Sequence, residues 1–177
     1  MDSASRHFVQ MDELADAVGK RLAELTGAQW GMVTAGCAAA LKMATAACVA
    51  GGNPEKLHLI PDLSGLDKTE VIIPAGSFSA YDFAIQNIGV KIIRVETIEE
   101  LKDALGPKTA MIKLSGGNLV PGPMSLEVIA AIAKPLNIPI LADAAAEILT
   151  IPNVHLKNGA TMVAYSGGKA ICGPQCA

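Results

Sequence analysis

The chain has 177 residues, of which 51% are hydrophobic, 18% charged and only 3% aromatic, with a formal net charge of −3. A mean hydropathy of +0.38 excludes a disordered chain, which combines low hydrophobicity with high charge. The acidic balance, with three arginines (Arg6, Arg21, Arg94) scattered along the chain, excludes an electrostatic footprint for nucleic acid.

Met11, Leu14, Val18, Leu22 and Leu25 recur at three- and four-residue steps and predict an amphipathic helix, stopped at Gly27. Trp30–Val33 reads as a short strand. Thr34-Ala35-Gly36 then breaks the chain, and the Ala-rich run Cys37–Val49 reads as a second helix, closed by Gly51-Gly52. That apolar stretch carries Lys42 and Thr45 and is too short to span a bilayer, which takes about 20 apolar residues. No basic-then-apolar signal pattern opens the chain, so the expected location is cytoplasmic. Residues 53–69, with Pro54, Pro61 and Gly65, read as an irregular excursion.

From there the alternation is regular. Strands are expected at Val71–Ile73, Lys91–Val95, Thr109–Leu114, Pro139–Ala142 and Thr161–Tyr165. Helices are expected at Tyr81–Ile88, Ile98–Leu105 and Ser125–Lys134. Aliphatic strands alternating with helices predict an α/β fold with a mostly parallel sheet between two helical layers. Cys37, Cys48, Cys172 and Cys176 follow neither a disulfide framework nor a zinc spacing, and no metal site is expected. Both ends are abrupt, which points to a piece of a longer protein.

In open α/β sheets, ligands bind beyond the carboxyl ends of the strands. Three such positions stand out. Small residues Gly36, Cys37 and Ala38 open a helix, where exposed N–H groups and the helix dipole favour an anion such as phosphate. The same residues also suit a plain tight turn. Asp143 ends an apolar strand, where an unpaired carboxylate is costly, so it faces a cation, a protonated ring nitrogen or a helix N-terminus, or caps the turn that follows. Lys169 sits in the loop Ser166-Gly167-Gly168-Lys169, as a phosphate clamp, a Schiff-base amine or a solvated loop lysine. A phosphate-binding P-loop does not fit, because Val163 and Ala170 occupy its glycine and hydroxyl positions. An anion cup, a strand-tip aspartate and a lysine 26 residues later form the set that holds pyridoxal 5′-phosphate in the aspartate-aminotransferase-like fold. A phosphate- or nucleotide-binding module is the competing reading.

The matching stretches run in order over nearly the whole chain. They include Val33-Thr34-Ala35-Gly36-Cys37-Ala38, Tyr81-Asp82, Ala142-Asp143-Ala144-Ala145-Ala146-Glu147 and Tyr165-Ser166-Gly167-Gly168-Lys169-Ala170-Ile171-Cys172-Gly173-Pro174-Gln175. On these the sequence resembles the pyridoxal-phosphate proteins related to bacterial selenocysteine synthase (L-seryl-tRNA selenium transferase). Within them it is most similar to the branch of D-glucosaminate-6-phosphate ammonia-lyase-like proteins. The resemblance implies the large domain of the type I pyridoxal-phosphate fold over residues 1–177, incomplete and without its small C-terminal domain. Lys169 would be the Schiff-base lysine and the base at the substrate α-carbon. Asp143 would pair with the pyridinium nitrogen, and Ala145 would pack on the ring. Gly36, Cys37 and Ala38 would hold the phosphate, with Ser166 adding a hydroxyl. Gln175 would lie behind the lysine loop. Where relatives carry a stacking histidine, Ser77 and Phe78 stand, and Phe78 is the expected stacking face. The implied chemistry is α-proton abstraction followed by β-elimination or replacement, with selenium transfer as the main reading and ammonia release as its alternative. A cofactor-holding piece without turnover is a further alternative. The implied partners are a small amino-acid or amino-sugar-acid substrate and a second copy of the chain; tRNA is implied by the family but disfavoured by the charge.

Overall fold

In the computed structural model, which describes residues 2–174, the five expected aliphatic runs become strands β1 (Glu70–Pro74), β2 (Lys91–Val95), β3 (Thr109–Ser115), β4 (Ile140–Asp143) and β5 (Met162–Ala164). They form one sheet in the order β2-β1-β3-β4-β5 with parallel pairing throughout. The helices are α1 (Met11–Thr26), α2 (Cys37–Ala50), α3 (Pro54–Leu59), α4 (Phe83–Gln86), α5 (Ile98–Ala104), α6 (Leu126–Ala133) and α7 (Val154–Lys157).

Side chains alternate across a strand, and here the alternation sorts the core into two layers. Val71, Ile73, Met111 and Leu141 pack with Leu41 and Val49 of α2 and with Ala84 and Ile85 of α4. Ile72, Ile112, Leu114, Ile140 and Ala142 pack on the other face with Leu101 of α5 and with Leu126 and Ile129 of α6. By the same alternation Lys113, Ser115 and Asp143 belong to the face covered by α2. The register sets Ser115 opposite Asp143 and Asp143 opposite Ala164, so β3, β4 and β5 end at one level. Every strand feeds its next residue into the same edge of the sheet.

Three local expectations are corrected. Trp30–Val33 is not a strand. It makes no ladder bonds, and a cavity of about 660 Å³, lined by residues of 27–34 and by Met162, Val163 and Ala164, lies between it and β5. A strand needs a hydrogen-bonded neighbour, and this segment packs on α1 instead: a Cβ at Gly19 would come within 2.4 Å of the Trp30 ring. The single helix expected over Tyr81–Ile88 is split into a 3₁₀ turn at Ala80–Asp82 and the short α4. Ser79 and Asp82 make a reciprocal capping box, which fixes the chain direction there. Within the irregular excursion, Asn53 caps α3 and Pro54 supplies its first residue. Among the described residues no helix is long and apolar enough to cross a membrane.

Gly89 joins α4 to β2 with φ +91°, and an added Cβ would lie 2.0 Å from the Pro61 carbonyl oxygen. Gly89→Ala therefore combines left-handed strain with a backbone clash. The expected outcome is a loss of about 3 kcal/mol or more in unfolding free energy, measured by urea denaturation, with Gly106→Ala, which meets no atom within 4 Å, as the near-neutral control.

Candidate functional site

The strand-end edge gathers a crevice of about 180 Å³. Gly36, Cys37 and Ala38 line it from the start of α2, Asp143 and Ala145 from the tip of β4, and Ser166 and Lys169 from the loop after β5; Leu41 and Tyr81 complete it. Seven of the eight residues expected to bind the cofactor are thus brought together from segments more than 100 residues apart in sequence. Phe78 is not among them. The 3₁₀ turn Ala75–Ser77 carries it toward β2, where its ring sits 4.2 Å from the Arg94 guanidinium carbon. Tyr81 presents the aromatic face in the crevice instead, with its ring centroid 5.8 Å from Lys169 Nζ. Gln175 and Cys176 lie outside the described residues.

Gly36 enters α2 at φ +90°, a conformation suited to glycine, with nothing within 4 Å of a would-be Cβ. The N–H groups of Cys37 and Ala38, in the first turn of a 14-residue helix, have no partner within it, and no side chain caps that end. The result is an open, uncapped helix N-terminus facing the crevice. Lys169 is presented by a tight loop in which Lys169 N–H donates to the Ser166 carbonyl (3.2 Å) and Gly173 N–H to the Gly167 carbonyl (2.7 Å). Its side chain is exposed on the crevice side.

Asp143 is nearly buried, its side chain 10% exposed. Oδ1 accepts from the Ala145 N–H (3.3 Å) and from the Cys37 thiol (3.7 Å). Burial first, and then the neighbouring Asp143 carboxylate, push the Cys37 thiol up to about 12, so it is neutral at physiological pH. The segment after Asp143 is anchored by Glu147, whose Oε2 lies 2.6 Å from His155 Nε2, and by Asn153, which donates to the Tyr165 hydroxyl (2.8 Å).

Behind Asp143 stands a group that sequence reasoning missed. Lys113 of β3 is fully buried, and its ammonium donates to the Ser77 carbonyl (2.7 Å), Asp82 Oδ1 (2.9 Å) and Ser115 Oγ (3.1 Å). It also lies 3.8 Å from Asp143 Oδ2. The signal was present: a lysine inside the aliphatic run Thr109–Leu114 must be paired if the run is a buried strand.

The chemistry of these groups fits pyridoxal phosphate. An uncapped helix start suits its phosphate, an anionic strand-tip oxygen its ring nitrogen, an exposed primary amine its aldehyde, and the small Ala145 leaves room for a flat ring. Comparison with known proteins gives the same direction. D-Glucosaminate-6-phosphate ammonia lyase of Salmonella typhimurium (strain 14028s / SGSC 2262) is 30% identical over 97% of this chain and 48% of its own length. A solved structure of D-glucosaminate-6-phosphate ammonia-lyase superposes with a TM-score of 0.89 at 30% identity, covering 99% of this chain and 50% of that one. The aspartate aminotransferase of Thermotoga maritima shares the fold at a TM-score of 0.58 and 21% identity, over 89% of this chain and 44% of its own. The chain thus spans about half the length of the curated relatives it matches. The fold is that of the type I pyridoxal-phosphate enzymes. With the DegT/DnrJ/EryC1/StrS aminotransferase family model matching residues 2–150, the chain belongs to that family of pyridoxal-phosphate-dependent enzymes.

Proposed function

We propose that this chain forms the cofactor-binding part of a pyridoxal-phosphate-dependent lyase that releases ammonia from a small, acidic amino-acid or amino-sugar-acid substrate. The observation that carries the reading is the convergence of Lys169, Asp143 and the uncapped start of α2 on one crevice. Similarity to the ammonia lyase over almost the whole chain favours this reading over selenium transfer. The charge agrees: a net −3 with scattered arginines gives no support to a tRNA substrate.

When bound, the cofactor supplies an electron-withdrawing ring that stabilises negative charge at the substrate α-carbon. The protein's part is to hold and orient. The Cys37 and Ala38 N–H groups would receive the phosphate at the positive end of α2, and the Ser166 hydroxyl, which lines the same crevice, would add a further donor. The neutral Cys37 thiol adds no charge to oppose that phosphate. Asp143 would offer its carboxylate to the ring nitrogen, and Ala145 and Tyr81, which line the same crevice, would border the ring. Lys169 Nζ would be the covalent anchor for the cofactor's aldehyde, and the same amine would be the base for the proton on the α-carbon. We read the active assembly as a cytoplasmic homodimer or larger oligomer, in which a second copy helps to close the crevice.

Two outcomes are expected. Adding pyridoxal phosphate to the chain gives a visible absorption band that Lys169→Ala abolishes, and Asp143→Ala weakens binding by about tenfold or more, the scale of one lost charge-assisted hydrogen bond. Ammonia release from D-glucosaminate-6-phosphate then tests the lyase reading; a band without release from this or related amino acids means that the chain holds cofactor without turning over. Separately, iodoacetamide at pH 8 should label exposed Cys172 well before Cys37. Asp143→Asn, which removes a carboxylate that raises the thiol, should speed Cys37 labelling several-fold, scored by peptide mass spectrometry.

A further inference from the structure

Three features lie outside the direct cofactor contacts: the cavity between residues 27–34 and β5, the Arg94–Phe78 pocket at the β2 edge, and the buried charge cluster at Lys113. Nothing among the described residues shows what would cover the first, and the second holds one cation already stacked on an aromatic ring. The third carries an argument.

Lys113 is enclosed by oxygen. Its three N–H donors are used by the Ser77 carbonyl, Asp82 Oδ1 and Ser115 Oγ, and Ser79 Oγ stands at 3.4 Å. Asp143 Oδ2, at 3.8 Å, is beyond a good hydrogen bond and interacts with the cation through charge alone. Two carboxylates thus face one ammonium, from the 3₁₀ turn Ala80–Asp82 and from the tip of β4, with side-chain exposures of 12% and 10%. The other ionisable groups that line the crevice with Asp143 are the Cys37 thiol from α2, Tyr81 from the 3₁₀ turn Ala80–Asp82 and Lys169 from the loop after β5. The two oxygens of Asp143 are therefore distinguished. Oδ2 faces the buried cation, whereas Oδ1 faces Cys37 and the Ala145 N–H on the crevice side.

We propose that Lys113 is a positioning residue for Asp143: its buried ammonium balances Asp82 and Asp143 together, so that both remain carboxylates and Asp143 turns one charged oxygen toward the crevice. Without Lys113, two carboxylates that each lie within 4 Å of its ammonium position share a nearly buried space with no cation between them, and like charges so placed disfavour each other's charged form. One of them takes a proton on folding. The significance for the ring nitrogen rests on the function proposed above; the charge balance does not.

The test compares the 177-residue chain with Lys113→Met and Lys113→Met/Asp82→Asn, without cofactor. If folding of Lys113→Met binds one extra proton, its unfolding constant rises by up to about tenfold per pH unit between pH 6 and 8 relative to the parent chain, because the native state then holds more protons than the unfolded state. Removing the second carboxylate with Asp82→Asn returns the profile to that of the parent. A structural role alone changes the size of the stability, not its pH slope, and is not reversed by losing a further buried partner. If Lys113→Met does not fold, folding of the double variant supports the charge conflict by itself. A parent-like slope in Lys113→Met, or a double variant that neither folds nor restores the slope, overturns the proposal. A second arm adds pyridoxal phosphate labelled with ¹⁵N in the ring. The expected shift is that of a protonated ring in the parent, neutral in Lys113→Met and protonated again in the double variant; an unchanged protonated shift in Lys113→Met overturns the link to the ring. A parent chain that shows no Lys169-dependent band sinks the cofactor reading, while the cofactor-free slopes still decide the role of Lys113.

Discussion

Parallel pairing of β3, β4 and β5 in a fixed register is the constraint on which the site depends. Because Ser115 sits opposite Asp143 and Asp143 opposite Ala164, three chain exits are held side by side. Because side chains alternate across the sheet, a one-residue slip would send Asp143 to the opposite helical layer. The crevice is thus assembled by backbone geometry before any polar contact forms. The two aliphatic layers on either side of the sheet make that geometry costly to change, since every slip would also expose Leu, Ile and Val now buried.

Against this apolar background the charges are few and each has a defined place. Lys113 stands in an otherwise aliphatic strand interior, and its burial is compensated by an oxygen-lined pocket built from Ser77, Ser79, Asp82 and Ser115. Breaking such a buried pair by deleting one partner costs about 3–5 kcal/mol, while replacing the whole pair by apolar groups can be neutral. Stability alone therefore gives no reason for this lysine, and proximity to Asp143 does.

What could be read from the sequence, and what could not, follows from the range of the interactions. The strands were legible because buried parallel strands are continuous aliphatic runs, and the strand-tip residues followed from the rule that ligands meet the carboxyl edge. Helix α1 was legible to within a residue, although the structure leaves Met11, Leu14 and Leu25 exposed. Trp30–Val33 was misread because strand character depends on a neighbour that no local pattern reports. Phe78 falls outside the crevice because the 3₁₀ turn Ala75–Ser77 carries it along the same face of the sheet to Arg94 of β2, and Tyr81 lines the crevice instead. The partners of Lys113 come from 31 and 30 positions away, a distance at which charge pairing leaves no periodic trace.

The depth of the Lys113 cluster separates it from the ion pairs on the surface helices. Arg6–Asp2, Lys20–Asp16 and Arg21–Glu24 are exposed at the surface, where water and mobile ions compete for each partner and the attraction is weak. No counterion reaches an ammonium that is 0% exposed. The attraction between Lys113 and the β4 carboxylate is accordingly far less sensitive to the salt content of the medium than one at the surface, so the same oxygen of Asp143 stays turned to the cation in dilute and concentrated solutions.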